Sequence, residues 1–429
     1  MPTKLLYSLS ALLFTTPAFA TEIDTGDTSW VIVSTILVML MTPGLAFFYS
    51  GMVRNKNAIS TILHSYMKLS VISIVWVLWG YSLAFGDSVA GFIGNFKYLG
   101  FDNILGEAAA GTTIPHSVFA LFQGMFAVIT AAIITGSFAE RVRLGPILLF
   151  STFWITLVYA PVAHWIWGGG WLHQMFNPLD FAGGAVVHLN SAVAGLVAAI
   201  YLGKRIGYNH KEKISAHNVP LTILGAALLW FGWFGFNAGS ALASGELAGL
   251  ALLNTNIAAA AGTFAWFFIE YNREEKATAI GMISGSIAGL VAITPAAGFV
   301  TPLSAILIGF ISGWLCYLAV EFLKPKLGYD DSLDAFGIHG IGGLWGAIAT
   351  GLFATTAVNE GGANGLFYGN ASLLYSQIAS SLIVMFYSAI VTFAILKVMR
   401  IFIRIRVSEA QEKKGLDASL HGEISYKLD

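Results

Sequence analysis

The sequence predicts an all-α polytopic membrane protein with eleven transmembrane helices, arranged as a five-plus-five inverted repeat with one extra helix. The first observation is composition: 56% of the 429 residues are hydrophobic and only 10% are charged, whereas a soluble domain carries about 25% charged residues. The second is a series of apolar stretches, each near the roughly 20 residues that cross a bilayer. A soluble multidomain protein is excluded because the chain has too little polar surface.

The first twenty residues predict a secretory signal peptide and not a helix of the fold. Lys4 gives a positive start, "LLYSLSALLF" is a short apolar core, and "AFA" before Thr21 fits a small-residue cleavage site. We therefore expect a mature chain that begins near Thr21. The alternative is an uncleaved first helix.

Eleven apolar stretches follow, and turn or charge signals separate them. They cover residues 29–52, 61–86, 115–138, 146–167, 182–203, 219–240, 248–269, 279–297, 301–323, 339–356 and 373–398. No soluble domain interrupts the series. We therefore expect one membrane domain over residues 21–400 and a polar cytoplasmic tail over residues 401–429.

The basic residues fall on alternate loops, which sets the orientation. On the side predicted to be cytoplasmic they are Arg54, Lys56, Arg141, Arg143, Lys204, Arg205, Lys211, Lys213, Arg273, Lys276, Lys324, Lys326 and, in the tail, Arg400, Arg404, Arg406, Lys413 and Lys414. The opposite loops hold Lys97 alone. The split predicts an outer N-terminus and a cytoplasmic C-terminus, and with the signal peptide it indicates a bacterial inner membrane.

Charge and cysteine content exclude further classes. The formal net charge is −1, which gives no indication of a nucleic-acid partner. Cys316 is the single cysteine, so no disulfide can form within the chain. The 47 glycines suit helices that pack closely through small residues.

Two histidines lie in apolar stretches, His188 in "GGAVVHLNSAVAGL" of span five and His339 in "DAFGIHGIGGLWGAIATGLF" of span ten. An ionisable group inside a membrane indicates a functional site, and these two positions end the two proposed halves, where an inverted repeat places its substrate path. A neutral pair can share one hydrogen and offer a donor and an acceptor to a small solute, or pass a proton. The alternatives are packing histidines bonded to a neighbouring helix, or a metal site, for which two histidines are a thin ligand set.

Each histidine helix is preceded by an aspartate, Asp180 on the predicted outer side and Asp334 on the cytoplasmic side. Both are expected to cap their helices, because a carboxylate accepts the first free amides and complements the helix dipole. Asp180 can also add negative potential to an entrance for a cation.

Aromatic residues cluster toward the predicted outer face. Phe122 and Phe126 lie four apart on one helix face, Trp167 lies in "AHWIWGGGW", and Phe236 and Ser240 lie in "WFGFNAGSA". Aromatic faces attract cations and a hydroxyl accepts a hydrogen bond, so a small hydrogen-bonding cation fits such a cage. The alternatives are an aromatic belt at the membrane interface and ordinary core packing.

These stretches resemble the ammonium transporter (Amt/Mep) family, which is related to the Rhesus proteins. The resemblance extends over residues 27–425 and includes "PGLAFFYSGMVRNKN", "FAERVRLG", "DFAGGAVVHLNSAVAGLV", "WFGFNAGSA", "DAFGIHGIGGLWG" and "GLDASLHGE". It implies trimers of eleven-helix protomers, each with its own narrow hydrophobic pore.

The resemblance also implies residue roles. Trp167, Ser240 and Phe126 form the external ammonium recruitment site, which Phe122 lines and Asp180 shapes from behind. Phe126 and Phe236 form a stacked gate. Twin histidines, His188 and His339, line the pore.

The resemblance implies a transporter for nitrogen uptake and not an enzyme, with ammonium or ammonia as substrate and methylammonium as an analogue. No cofactor or metal is expected, and a PII-type signalling protein can plug the cytoplasmic exit. Two other functions stay open: an ammonium sensor with incidental flux, and a membrane-embedded enzyme that uses the histidine pair with a metal.

Overall fold

A computed structural model describes residues 22–209 and 214–426, so the predicted signal peptide over residues 1–20 lies outside the described residues. Apolar helices make up most of this part of the chain. They are α1 (Thr25–Met52), α2 (Asn55–Phe85), α3 (His116–Phe138), α4 (Leu144–Phe176), α5 (Gly184–Leu202), α6 (Val219–Gly239), α7 (Glu246–Glu274), α8 (Ala279–Ile293), α9 (Pro302–Leu327), α10 (Phe336–Phe353) and α11 (Ala371–Phe402).

All of these except α8 are long and apolar enough to cross a membrane. The all-α membrane fold is therefore confirmed, and each predicted span falls on one of the helices. The eleven-span count and the orientation stay predictions. The predicted span over residues 279–297 runs past the end of α8, because Pro295 cannot donate the next helical hydrogen bond and residues 294–299 continue as buried turns.

Helices pack at very short range through glycine, as the composition suggests. Helix α1 runs along α6, and a Cβ atom on Gly225 of α6 would lie 2.2 Å from the backbone nitrogen of Phe48. Helix α7 packs on α8 and α9, where a Cβ atom on Gly289 would lie 2.1 Å from the carbonyl oxygen of Ala258. Close backbone contact replaces the hydrophobic driving force that lipid does not supply between helices.

The two histidine helices begin in the same unusual way. Each opens with a π-helical turn, Gly184–Leu189 in α5 and Phe336–Gly340 in α10. The residue just before the first turn, Gly183, has φ 110°, and Asp334, shortly before the second, has φ 57°. π-helical turns are uncommon in proteins, and those that occur are often found at functional sites.

A short hairpin, β1 (Ser88–Val89) and β2 (Ile93–Gly94), follows α2, and the tail forms α12 (Glu409–Lys414) and a final π turn, Asp417–His421. The tail folds back onto the start of α2. The Asp417 carboxylate accepts from the backbone amides of Ile59 (3.0 Å) and Ser60 (2.8 Å), and the amide of Leu416 donates to Asn57 Oδ1 (2.8 Å). The carboxylate thereby satisfies amides at a helix start that have no intrahelical partner.

Candidate functional site

A cavity of about 430 Å³ opens beside the ends of α3, α4 and α6. Four of the predicted site residues line it: Phe126, Trp167, Asp180 and Ser240. In the described part of the chain its lining includes no lysine or arginine. The predicted recruitment residues are thus brought together at one opening, where no fixed positive charge repels a cation.

Stacked rings close the floor of this cavity. Phe126 and Phe236 are fully buried and stack with centroids 4.2 Å apart at 21°. Trp167 meets Phe126 edge-on at 6.1 Å. Phe122, which the resemblance places on the lining, packs behind Phe126 at 4.9 Å and is not among the lining residues. It therefore supports the floor from behind.

Hydrogen bonds fix the two polar groups at the floor. The Trp167 indole donates to the carbonyl oxygen of Asp180 (2.9 Å), which holds the ring in place. The Ser240 hydroxyl donates to the carbonyl oxygen of Phe236 (2.8 Å). Since its one hydrogen is used there, the Ser240 oxygen is left with lone pairs that accept from a ligand.

Asp180 caps α5, as the sequence predicts. Its two carboxylate oxygens accept from four successive backbone amides, those of Gly183 (2.9 Å), Gly184 (2.6 Å), Ala185 (2.9 Å) and Val186 (3.1 Å). A negative group at a helix N-terminus satisfies its free amides and its dipole. This cap orients the π turn that carries His188.

The two histidines meet in the buried interior. The Nδ1 atoms of His188 and His339 lie 3.2 Å apart, and the rings are 1% and 4% exposed. One Nδ1 must carry the hydrogen and the other must accept it, so the pair offers one Nε2 lone pair and one Nε2–H. His188 Nε2 is buried and has no partner among the described residues. The pair thus presents an unpaired polar atom in an apolar interior.

A continuous row of rings links the cavity to this pair. Phe236 stacks under Phe126 and lies 5.8 Å from His188, which also stacks on Trp233 at 5.2 Å. The order from outside inward is therefore cavity, phenyl rings, histidines. Within the described residues no group of three or more His, Cys, Asp or Glu side chains is placed to hold a metal ion.

The predicted cap of α10 by Asp334 is wrong. The Asp334 carboxylate instead accepts from Lys324 Nζ at 2.6 Å, and the amide of Phe336 donates to Asp331 at 2.7 Å. Asp334 occupies the left-handed turn, from which its side chain does not reach back to the helix start. Asp331 lies eight residues before His339, just as Asp180 lies eight before His188, and this shared spacing is the signal that the sequence analysis missed.

A buried ion network joins the loops that follow α1, α3, α5 and α9, for which the sequence predicts only an orientation. Glu140 pairs with Arg54 (2.7 Å) and with Arg205 (2.6 Å), and Arg205 also pairs with Asp330 (2.7 Å). Burial alone raises the pKa of Glu140, but Arg205 and Arg54 outweigh it, so the pKa lies below its ordinary value. Burial raises the pKa of Asp330 and Arg205 lowers it, and here too the pKa lies below its ordinary value.

The network also involves the tail. The side-chain amide of Asn57 donates to Glu140 (2.7 Å) while its oxygen accepts from the amide of Leu416 (2.8 Å). Glu412 of α12 accepts from the amide of Ile206 (2.6 Å). The inner loops and the tail are therefore held as one hydrogen-bonded unit.

Comparisons with known proteins agree with this arrangement. The family model described as "Ammonium Transporter Family" matches residues 29–426. An ammonium transporter of Bacillus subtilis is 55% identical over 406 residues, which cover 94% of this chain and 98% of that protein. The crystal structure of Saccharomyces cerevisiae Mep2 is similar with a TM-score of 0.85 at 40% identity and covers 91% of both chains. A structure titled "Sensor Amt Protein" is similar with a TM-score of 0.86 at 33% identity, covering 92% of this chain and 98% of that one.

Proposed function

The chain belongs to the ammonium transporter family, and from this premise we propose that it recruits ammonium at the outer cavity, removes one proton and conducts ammonia past His188 and His339. One observation carries the proposal. A cavity without lysine or arginine on its lining leads through stacked Phe126 and Phe236 to a buried histidine pair.

The outer cavity suits the cation. Ammonium is attracted to aromatic faces, which Phe126 and Trp167 supply, and it donates hydrogen bonds, which the Ser240 oxygen accepts. The carbonyl oxygen and carboxylate of Asp180 add negative potential behind the site without direct contact. Recruitment thus acts on the form of the substrate that dominates at neutral pH.

The buried path suits the neutral species. An intact cation that passes between the phenyl rings loses its water and faces a large desolvation cost. Loss of one proton converts ammonium to ammonia and avoids most of that cost. The proton returns to water outside or follows through the histidine pair, where an Nε2 lone pair accepts it and the shared Nδ1 hydrogen moves on. Sodium and potassium have no proton to lose, which gives selectivity.

The remaining expectations form part of the proposal. They are a signal peptide over residues 1–20, a membrane domain over residues 21–400 and a cytoplasmic tail over residues 401–429. The protomers form a homotrimer in a bacterial inner membrane with the N-terminus outside, and a PII-type protein binds at the cytoplasmic face. The docked position of Asp417 and Leu416 on α2 supports a tail that responds to such a partner.

The test is current in proteoliposomes after an ammonium pulse, together with the internal pH. We expect a current in the wild type after the pulse and no current in a His188→Ala, His339→Ala double variant. His217→Ala, which removes a histidine just before α6 and away from the pair, serves as the matched control and should transport normally. Wild-type flux of sodium or potassium as fast as that of ammonium contradicts the mechanism.

An ammonium sensor with incidental flux is the second candidate, because the structure titled "Sensor Amt Protein" has a closely similar fold. The same liposomes separate the two functions. Ammonium binding without sustained flux favours the sensor, whereas saturable and rapid flux favours the transporter.

A further inference from the structure

We infer that Gln123 is a further substrate-contacting residue of the outer cavity, where its side-chain amide gives ammonium a second hydrogen-bond acceptor beside Ser240. This inference rests on the proposed function. It assigns Gln123 a role in specificity: it favours cations with two or more N–H donors over a cation that has one.

Gln123 is placed for such a contact. It lies on α3 three residues before Phe126, on the same helix face, and it lines the same cavity as Phe126, Trp167 and Ser240. The residue is only 9% exposed, and its Oε1 atom is buried without a hydrogen-bond partner among the described residues. A buried carbonyl oxygen with no partner is destabilising, so a partner that the protein itself does not supply is indicated.

The chemistry of the cavity leaves an acceptor role open. Ammonium has four N–H donors, and each one that leaves water needs an acceptor. The Asp180 carboxylate already accepts four backbone amides, and the Trp167 indole is a donor. Ser240 is one free acceptor at the floor, and Gln123 Oε1 is the second once the amide turns about its last bond, which is soft.

The other polar side chains on the lining are less suitable. His173 and Asn177 are exposed, and the Thr112 hydroxyl already donates to the carbonyl oxygen of Ala109 at 2.8 Å. Groups that face bulk water gain little from a bound cation, because they exchange one hydrogen bond for another. Burial makes Gln123 different: its oxygen gains a partner that water does not provide.

A neutral amide also suits a site that must release its ligand. A carboxylate at this position binds ammonium more tightly and holds the proton more firmly. An amide oxygen discriminates by the number and direction of N–H groups and adds no net charge. Trimethylammonium, with one N–H, can use Ser240 or Gln123 but not both.

The experiment measures ammonium uptake by proteoliposomes of the full chain, with methylammonium and trimethylammonium as competing inhibitors. Gln123→Leu keeps the side-chain size and removes the acceptor. We expect its KM for ammonium and its Ki for methylammonium to rise about tenfold, which is the order of one hydrogen bond to a charged group. The Ki for trimethylammonium and kcat should change less than twofold.

Gln174→Leu is the matched control, because Gln174 is exposed, lies outside the cavity lining and bonds only to the carbonyl oxygen of Gly169. Its constants should equal those of the wild type. If Gln123→Leu does not fold, Gln123→Glu takes its place and should keep or lower the KM for ammonium. An unchanged KM in Gln123→Leu, equal losses for all three cations, or a raised KM in Gln123→Glu overturns the inference. Absence of ammonium flux in the wild type overturns the proposed function instead.

Discussion

The segments that precede the two histidine helices have the same arrangement of residues but differ in the groups that bind their aspartate carboxylates. In residues 177–183 and in residues 328–335 an aspartate lies eight residues before the histidine, a left-handed residue follows it, and a π turn begins the helix. The carboxylate on the cavity side, Asp180, is held by four backbone amides and, among the described residues, by no cation. The inner segment is held by ion pairs, such as those of Asp330 with Arg205 and Asp334 with Lys324.

Under the proposed function, the difference follows from the task of each side, because only the cavity side receives the cation. A fixed guanidinium or ammonium group at the outer cavity would repel an incoming cation by about 4 kcal/mol at 4 Å in a partly solvated site. Backbone amides at the start of α5 stabilise Asp180 with partial positive charges and add no fixed charge to the cavity. The inner mouth has no such restriction, so its ion pairs can also anchor the loops and the tail.

Loss of the outer cap is the largest change that the comparison predicts. Asp180→Ala leaves four buried amides without partners, and each costs about 1–3 kcal/mol. We expect ammonium uptake to fall at least about a hundredfold and the free energy of unfolding to fall by about 4 kcal/mol or more. Asp331→Ala removes one amide contact, that of Phe336, and should cost about 1–3 kcal/mol. Uptake assays and thermal unfolding in detergent check both, and equal losses contradict the comparison.

Loss of a network carboxylate comes next. Glu140→Ala leaves the buried Arg205 and the partly exposed Arg54 without their shared partner, which costs about 3 kcal/mol. Because Asn57 then loses its anchor, the tail should loosen and trypsin should cleave faster after Lys413 and Lys414.

The control is an exposed ion pair at the outer side. Lys97 and Asp87 lie 3.1 Å apart with 44% and 65% of their side chains exposed, so Asp87→Ala should change stability by less than about 0.5 kcal/mol. Trypsin cleavage of the tail at the wild-type rate in Glu140→Ala would contradict the proposed link.

Acid should weaken the inner segment. The pKa values of Glu140 and Asp330 lie below their ordinary values, so the folded state favours their charged forms. Their stabilisation is complete above the ordinary carboxyl pKa of about 4 and is lost as the pH falls through the lower folded values. The unfolding midpoint of the wild type should therefore drop as the pH falls below about 4. The same curve for Glu140→Gln should be flatter, and parallel curves would count against the network.

The smallest expected effect concerns a buried lysine that lacks an ion-pair partner of the kind found in the segment before α10. Lys68 in α2 is fully buried, and its Nζ donates only to the carbonyl oxygen of Ile147, at 3.4 Å. Within the described residues no carboxylate pairs with it. Lys68→Met should raise the stability by about 1–2 kcal/mol, because a buried amino group is replaced by an apolar chain of similar length. A lower unfolding midpoint in the variant would show that Lys68 has a partner role.

The sequence predicts the helices well because composition and apolar length decide them. The sequence does not predict the structure at positions where the backbone path of a turn determines which residue ends or caps a helix. Pro295 ends α8 before the apolar run ends, and among the acids Asp330, Asp331 and Asp334 only the backbone path selects which one caps α10. All three are the same residue type within five positions, so the residue types alone do not distinguish them.

The candidate site shows the same limit. Motif resemblance places His188 and His339 in one pore, and the structure brings their rings into contact. Resemblance does not identify Gln123 as a site residue. The relevant feature is that its Oε1 atom has no hydrogen-bond partner among the described residues, and only the packing of the structure shows this. The resemblance also does not show that Arg205 is buried in an ion network, because the residue type of a basic loop residue does not reveal whether it faces water or a carboxylate.

The π turns at Gly184–Leu189 and Phe336–Gly340 bear on changes in chain length. A π turn contains one residue more than an α turn. Deletion of one residue there, such as Val187, would let the turn close as an ordinary α turn and would remove one residue from the span between the Asp180 cap and the His188 ring. We therefore expect a single-residue insertion or deletion between either aspartate and its histidine to disturb the histidine pair more than a substitution there does. The same distance of eight positions separates the aspartate from the histidine in both segments.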